Sequence, residues 1–309
     1  MKNYHQDPRA LNVPRYLSPF FESLSRSLTD ADRELSEAYR DHGYVVLDVP
    51  VIDTDTVDRV VSELDGRYDD VQTGHDTPNR KLDAWRESEA VVEVANAPSV
   101  LRALEVLYGR RAFPFQTLNF LVGTEQGAHS DTVHFHSIPH RFMAGVWVAL
   151  EDIHPDSGPL VVYPGSHKLP CYDPFDLAIE AKWEAHHEYE AAIEAIVGAF
   201  GLEPRPLTLK RGQAVIWEAN LLHGGSMVRD TTRTRLSQAT HYYFEDCTYY
   251  QPAVSEPFVG RLSLKRVEAV GSGRVVPNLY RGRPVEEWSK GPSGLRRMLA
   301  RFTGGGRGE

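Results

Sequence analysis

Between residues 112 and 245, five short segments rich in β-forming residues follow one another, and turn residues separate most of them. The segments are 112–123 (AFPFQTLNFLVG), 142–153 (FMAGVWVALEDI), 159–165 (PLVVYPG), 213–219 (QAVIWEA) and 235–245 (RLSQATHYYFE). Helices do not alternate regularly with these segments, so the pattern favours an antiparallel barrel or sandwich over a parallel α/β sheet. We therefore predict a mainly β fold with helices added to it.

Helical patterns precede the β-rich region and interrupt it once. We expect a helix that Thr29 caps and Gly43 ends, and another from Pro98 to Gly109. The segment 68–83 is polar and reads as a loop, whereas 173–204 contains an acidic amphipathic helix. The chain shows no repeat and no clear linker. The expected organisation is one domain over 1–309, with a helical N-terminal part (1–110), a barrel core (111–250) carrying a helical insertion (173–204), and a C-terminal extension (251–309).

Charge and cysteine content argue against several classes of protein. The 309 residues include 34 basic and 43 acidic side chains, and the net charge of −9 disfavours an extensive nucleic-acid-binding surface. Cys171 and Cys247 are too few for a disulfide framework or a cysteine zinc site. No apolar run approaches the roughly 20 residues needed to span a bilayer, and the first residues lack the apolar core of a secretory signal. We expect a cytoplasmic protein that binds a small molecule and neither nucleic acid nor membranes.

The spacing of two side chains in the sequence GAHSD indicates a metal site. His129 and Asp131 are two positions apart, so on an extended strand both would point to the same side and reach one ion. His223 follows the apolar segment 213–219 in a glycine-containing turn and is a candidate third ligand. Two histidines and one carboxylate on one face of a metal form the facial triad of non-haem iron(II) oxygenases.

Three further histidines crowd the same region, at positions 134, 136 and 140. His134 and His136 would share one face of a strand, so with His140 they are candidates for a second metal site. The simpler interpretation is that they line the mouth of the barrel, where His134 or His136 contacts the substrate.

Arg235 and Ser237 also share a strand face and lie twelve or more residues beyond His223. An arginine fork matches a carboxylate in two parallel hydrogen bonds, and a serine hydroxyl can add another. They are candidate anchors for the far carboxylate of a dicarboxylic co-substrate. Arg233 competes for this role, but it lies in a polar turn, whereas Arg235 leads into the apolar ATHYYF and should lie deeper.

Together these motifs resemble the phytanoyl-CoA dioxygenase family of iron(II)- and 2-oxoglutarate-dependent oxygenases. The resemblance runs from about Gly43 to about Phe244. It is carried by GYVVL, HSD, VWVALEDIHPDSGPLVVYPGSH, GQAVIWEANLLHGGS and RLSQATHYY, in this order. It implies a double-stranded β-helix, a jelly-roll or cupin-like barrel with the metal at its mouth.

The resemblance also implies roles for individual residues. The catalytic iron(II) ligands would be His129, Asp131 and His223; 2-oxoglutarate would be bound by Arg235, Ser237, Trp147 and Gln116. Arg235 is favoured over Arg233 because the family places a histidine or an aromatic residue a few positions after its arginine. Iron(II), 2-oxoglutarate as co-substrate and O2 are therefore the expected cofactors. The reaction would oxidise a small polar metabolite, by hydroxylation as the default, and release succinate and CO2.

Two alternatives remain beside this interpretation. One is a barrel that kept the fold and only binds a ligand, as cupin-like binding modules do. A halogenase of the same family is disfavoured, because Asp131 fills the position that chloride would need. The other concerns the insertion 173–204, which either covers the barrel mouth as a lid or packs on the outer wall.

Overall fold

The computed structural model of the chain describes residues 11–68 and 80–285. The strands in these residues are β1 (Tyr44–Leu47), β2 (Arg80–Leu82), β3 (Ala112–Phe120), β4 (His136–Ile138), β5 (Met143–Ala149), β6 (Leu160–Val162), β7 (Arg205–Leu207), β8 (Ala214–Glu218), β9 (His223–Gly225), β10 (Ser237–Phe244), β11 (Thr248–Tyr250), β12 (Val267–Glu268), β13 (Val275–Val276), β14 (Leu279–Tyr280) and β15 (Arg283–Pro284). The α-helices there are α1 (Phe21–Ser25), α2 (Asp30–His42), α3 (Thr54–Leu64), α4 (Glu89–Ala95), α5 (Pro98–Tyr108) and α6 (His186–Phe200).

Two antiparallel sheets build the barrel. The larger has six strands in the order β1–β8–β5–β10–β3–β2, and the smaller has three in the order β7–β6–β9. Strands that are distant in sequence are neighbours in both sheets, as the crossovers of a jelly roll require. The predicted fold class, a mainly β jelly-roll barrel with added helices, is confirmed.

Alternation along β10 decides which side chains enter the barrel. Ala239 packs with Trp147 and Trp217 and with residues of the smaller sheet in one cluster between the sheets. Residues of the opposite parity face the N-terminal helices: Gln238 Nε2 donates to the Val91 carbonyl (3.1 Å), and the Tyr242 hydroxyl donates to a carbonyl at the end of α4 (2.7 Å). The helices therefore cover the outer face of the large sheet and leave its inner face for the site.

The N-terminal helices largely follow the expected signals. The Thr29 side chain accepts the Asp32 N–H at the start of α2, and Gly43 ends that helix with φ +82°. The expected loop 68–83 is wrong in its last part, because residues 80–82 pair with β3 as the edge strand β2. Residues 69–79 lie outside the described residues.

The insertion forms a helix only in its second half, α6. The inward side chains Tyr189, Ile193 and Val197 pack in one cluster with Ala128 and Leu222, which lie directly before His129 and His223. The helix therefore lies beside the segments that carry the candidate ligands. None of the helices in the described residues is long and apolar enough to cross a bilayer.

Candidate metal centre

His129, Asp131 and His223 are brought together at one end of the barrel. Each contributes one ligand atom, and these atoms all lie within 4.8 Å of one another; Asp131 Oδ1 is 3.7 Å from His223 Nε2. All three side chains are buried. Within 11–68 and 80–285, no other three His, Cys, Asp or Glu side chains meet in this way.

The backbone holds the two histidines side by side. His129 and His223 exchange two N–H···O=C hydrogen bonds of 3.0 Å, as an antiparallel bridge between the segment before Asp131 and β9. Gly224 makes this approach possible, since a Cβ there would lie 2.7 Å from the Gln126 carbonyl oxygen. The expectation that His129 and Asp131 share a strand is wrong in detail. Asp131 opens a 3₁₀ turn (Asp131–Val133), and this turn directs its carboxylate toward the histidines.

Hydrogen bonds fix the tautomer of both imidazoles. The Nδ1 of His129 lies 3.0 Å from the Gly127 carbonyl, and the Nδ1 of His223 lies 2.9 Å from the Leu221 carbonyl. A carbonyl can only accept, so each Nδ1 carries a proton, and Nε2 is the atom that each neutral ring can offer to a metal. Burial, with the neighbouring His223, lowers the pKa of His129 to about 4, so this imidazole is neutral at pH 7.

A tryptophan that is not among the predicted site residues orients the carboxylate. The Trp217 Nε1–H donates to Asp131 Oδ2 at 2.8 Å, which leaves Oδ1 directed at His223. Burial opposes ionisation of Asp131, but His223 and the other imidazoles nearby, together with this indole N–H, hold its pKa below the usual range. The only sequence signal for Trp217 is its place on β8, on the same face as the inward Val215.

Gln116 contacts the site through His241 of β10. Its Oε1 accepts a hydrogen bond of 2.9 Å from His241 Nδ1, and His241 Nε2 lies 3.9 Å from Asp131 Oδ2. The register of β3 and β10 places Gln116 and His241 directly opposite each other. Both side chains therefore line the wall of the barrel next to the carboxylate.

Arg235 is a buried cation with spare hydrogen-bonding capacity. It is 4% exposed and lies between the rings of Phe120 and Trp147, 5.2 Å and 5.5 Å from their centroids. Its Nη1 donates to Ser237 Oγ (3.4 Å) and its Nη2 to the Val122 carbonyl (3.1 Å), while its buried Nε has no partner in the described residues. Burial lowers its pKa to about 10, so it remains protonated at neutral pH and suits an anion.

Arg233 is placed quite differently. Its side chain is 46% exposed and forms an ion pair of 2.9 Å with Asp230 in the same turn. Arg235 is thus buried and Arg233 lies near the surface, as the sequence predicts.

The side chains of His134 and His136 contact different groups. His136 Nε2 lies 3.0 Å from His140 Nδ1, next to the Tyr250 ring. The ring of His134 instead stacks on Trp183 of the insertion. The 3₁₀ turn interrupts the expected strand, so these histidines do not share a face and the alternative of a second metal site is not formed.

Comparison with known proteins agrees with this geometry. A family model described as "Phytanoyl-CoA dioxygenase (PhyH)" matches residues 39–235, which is more than half of the chain. The chain belongs to the phytanoyl-CoA dioxygenase family. The match includes all three candidate ligands and ends at Arg235, so the resemblance drawn from the motifs is confirmed.

Curated members of the family are distant relatives. The peroxisomal phytanoyl-CoA dioxygenase of Rattus norvegicus is 23% identical over 181 residues, and that of Homo sapiens is 22% identical over 180 residues. Each alignment covers 55% of this chain and 50% of the relative. The chain therefore spans about half the length of the curated relatives it matches.

Solved structures share the fold over most of the chain. The carbocyclase SnoK of nogalamycin biosynthesis superimposes with a TM-score of 0.61 at 16% identity, over 82% of this chain and 98% of its own. The epimerase SnoN, in complex with Fe3+, alpha ketoglutarate and nogalamycin RO, gives 0.59 at 22% identity, over 82% and 95%. EctD from S. alaskensis, with 2-oxoglutarate and 5-hydroxyectoine, gives 0.51 at 20% identity, over 71% and 78%.

Proposed function

We propose that this chain is an iron(II)- and 2-oxoglutarate-dependent dioxygenase. It hydroxylates or otherwise oxidises a small polar metabolite, such as a sugar-bearing or amino natural product, and releases succinate and CO2. The observation that carries the proposal is the buried triad of His129, Asp131 and His223, with one free ligand atom on each residue. Membership of the family supports the same reaction class.

The donor set fits a ferrous ion. Two imidazole nitrogens and one carboxylate oxygen are the ligands of the facial triad, and neither of the two cysteines takes part. His129 Nε2, Asp131 Oδ1 and His223 Nε2 would hold the ion. Bound iron would supply the redox chemistry with O2 that amino-acid side chains lack.

The barrel wall fits a dicarboxylic co-substrate. Arg235, which no described carboxylate neutralises by an ion pair, would receive the far carboxylate of 2-oxoglutarate, and Ser237 would add its hydroxyl. Trp147 would pack against the co-substrate, and its buried Nε1 lacks a partner in the described part of the chain. Gln116 would contribute through its contact with His241.

The insertion would also limit the access of water to the site. The insertion lies beside the ligands, because the Ser130 N–H donates to the Tyr189 hydroxyl at 3.4 Å. We propose that the insertion acts as a lid that contributes to substrate choice, with His134 on its inner side. The role of His136 in substrate contact stays a prediction.

Iron titration combined with a succinate-release screen tests the function. The protein is loaded with Fe(II) without oxygen, and bound iron and succinate are measured across several classes of candidate substrate. His223→Ala should lose both, because a two-point chelate remains. The matched control His140→Ala, at an exposed imidazole, should keep its iron.

The outcomes separate the candidate functions. Iron binding with succinate release supports the oxygenase, and iron binding without succinate in any arm favours a ligand-binding barrel. Full iron content and turnover in His223→Ala would overturn the assignment of the triad.

A further inference from the structure

The C-terminal extension places one lysine near the candidate metal centre. The backbone of Lys265 is held on both sides: its N–H donates to the Tyr249 carbonyl of β11 at 2.8 Å, and its carbonyl accepts from Asn278 Nδ2 at 3.0 Å. Its side chain is half-buried. The residue lies outside the part of the chain that matches the family model. The extension therefore contributes a group of its own to this end of the barrel.

Aromatic rings connect this lysine with the metal ligands. Lys265 Nζ lies 5.1 Å from the centroid of the Phe135 ring and 5.8 Å from that of the Phe115 ring. The centroid of the Phe135 ring is 4.9 Å from that of the His241 ring, and His241 Nε2 lies 3.9 Å from Asp131 Oδ2. The ammonium group thus lies over the wall of the barrel beside Asp131, separated from the carboxylate by two rings.

The ammonium group has no acceptor in the protein. Within 11–68 and 80–285, Lys265 Nζ forms neither a hydrogen bond nor an ion pair. The charge of Asp83 acts on it from beyond ion-pairing distance, and Asp83 Oδ1 already accepts the Thr117 N–H at 3.1 Å. Phenyl rings attract a cation, but they do not replace the oxygen acceptors that a half-buried ammonium group loses with water. An anion would supply those acceptors.

This cation is separate from Arg235, the proposed anchor of 2-oxoglutarate. The Arg235 guanidinium donates to Ser237 Oγ at the start of β10. From Ser237 to His241 this strand rises roughly 13 Å. Lys265 lies at the His241 end, on the other side of the Phe135 ring. An anion at Lys265 would therefore belong to a second molecule and not to the co-substrate at Arg235.

We propose that Lys265 binds an anionic group of the primary substrate, a carboxylate or a phosphate. That this group belongs to the substrate rests on the proposed oxygenase function; that Lys265 binds an anion beside the metal site does not. Lys265 is then a specificity-determining residue, and the substrate class narrows to polar metabolites that carry a negative charge. Carboxylates and phosphates share this chemistry, so the test has one arm for each.

The test measures the binding of acetate and of methyl phosphate to the full chain loaded with Mn(II) and 2-oxoglutarate. Mn(II) is paramagnetic, so it speeds the relaxation of the methyl protons of a probe that binds near the metal site, and titration gives the affinity. At least one anion should bind more tightly than the uncharged control acetamide. Lys265→Met should weaken this binding by about tenfold, because it keeps the length of the side chain and removes the charge.

Two further variants make the comparison specific. Lys265→Arg should retain the binding, because it keeps a cation at the same place. Lys168→Met is the matched control, since Lys168 is an exposed lysine of the turn Ser166–Lys168, and it should leave the affinity unchanged. Circular dichroism checks that each variant folds, and Lys265→Gln repeats the measurement if Lys265→Met does not.

The possible results are distinct. Equal affinity in the wild type and the neutral variant would overturn the proposal, because the anion would then bind the metal or another group. Binding of neither anion would also overturn it; saturation transfer to the same methyl groups detects binding even without Mn(II). If the anions fail while an uncharged substrate yields succinate, the oxygenase proposal stands. If an anion binds through Lys265 and no substrate class yields succinate, the lysine site stands and the oxygenase function fails.

Discussion

At the scale of single residues, a hydrogen bond orients the side chain of every candidate metal ligand. In each case the bond is made by the side-chain atom that points away from the metal site. Carbonyl oxygens fix the Nδ1 of His129 and of His223, and the Trp217 indole fixes one carboxylate oxygen of Asp131. One atom of each ligand therefore remains available, and its direction is set before a metal arrives. Such partners raise metal affinity because little freedom is lost on binding.

Arg235 and Arg233 provide a matched pair for a test at this scale. Arg235→Lys should weaken 2-oxoglutarate binding by about 2 kcal/mol or more, because lysine cannot reproduce the planar fork and the carboxylate would be left desolvated and poorly paired. Arg233→Lys should have little effect, since Arg233 is half exposed and already pairs with Asp230. Calorimetric titration of the iron-loaded protein with 2-oxoglutarate measures both. The reverse order of effects would transfer the role to Arg233.

At the scale of elements, the register between β5 and β8 shapes the site. Gly145 of β5 lies opposite Trp217 of β8, and a Cβ at Gly145 would overlap the indole ring. The missing side chain thus makes room for the ring that holds Asp131. A contact of this kind depends on strand register and is invisible in the order of motifs along the chain.

Two glycine substitutions should have opposite effects on stability. Gly145→Ala should destabilise the protein by about 1–3 kcal/mol through overpacking, and should also weaken iron binding by displacing Trp217. Gly198 lies in the exposed part of α6, where an added methyl group would meet no side chain or neighbouring segment within 4 Å. Gly198→Ala should therefore stabilise the protein by about 0.4–1 kcal/mol, because alanine lowers the conformational entropy of the unfolded chain. Urea unfolding and iron titration give both quantities. Unchanged iron affinity in a destabilised Gly145→Ala would remove the proposed link to Asp131.

The sequence predicts elements better than short turns. The strands of the barrel are predictable because turn residues punctuate β-forming runs, and α2 is predictable because Thr29 and Gly43 mark its ends. The turn after Ser130 is not predictable from the sequence, because three residues carry too little periodicity to distinguish a 3₁₀ turn from a strand. That single turn changes the positions of Asp131 and His134, and so it alters the details of the site while the ligand set remains.

At the scale of the whole molecule, one buried network joins parts of the chain that are distant in sequence. Arg141 donates to both carboxylate oxygens of Glu218 (2.7 Å each) and to the His167 carbonyl (2.8 Å). The same carboxylate accepts from the Tyr16 hydroxyl and from the Asn220 N–H, both at 2.8 Å. The N-terminal part and two segments of the barrel region, one of them just before the insertion, thereby share one buried ion pair. This is what we expect if the N-terminal part and the barrel belong to one domain; that the single domain extends over 1–309 stays a prediction.

A single and a double variant of this network test whether an unpaired buried charge or lost packing limits stability. Arg141→Met should lower the free energy of unfolding by about 3–5 kcal/mol, because it leaves the Glu218 carboxylate buried without its cation. The double variant Arg141→Met/Glu218→Gln should lose clearly less, since the amide oxygen can still accept from the Asn220 N–H, its NH2 can donate to the Tyr16 hydroxyl oxygen, and no charge remains buried. Arg33→Met, in a pair at the surface, should change the value by at most about 1 kcal/mol. Urea unfolding followed by circular dichroism measures all three. If the double variant were as unstable as Arg141→Met or less stable, lost packing and not an unpaired charge would account for the single variant.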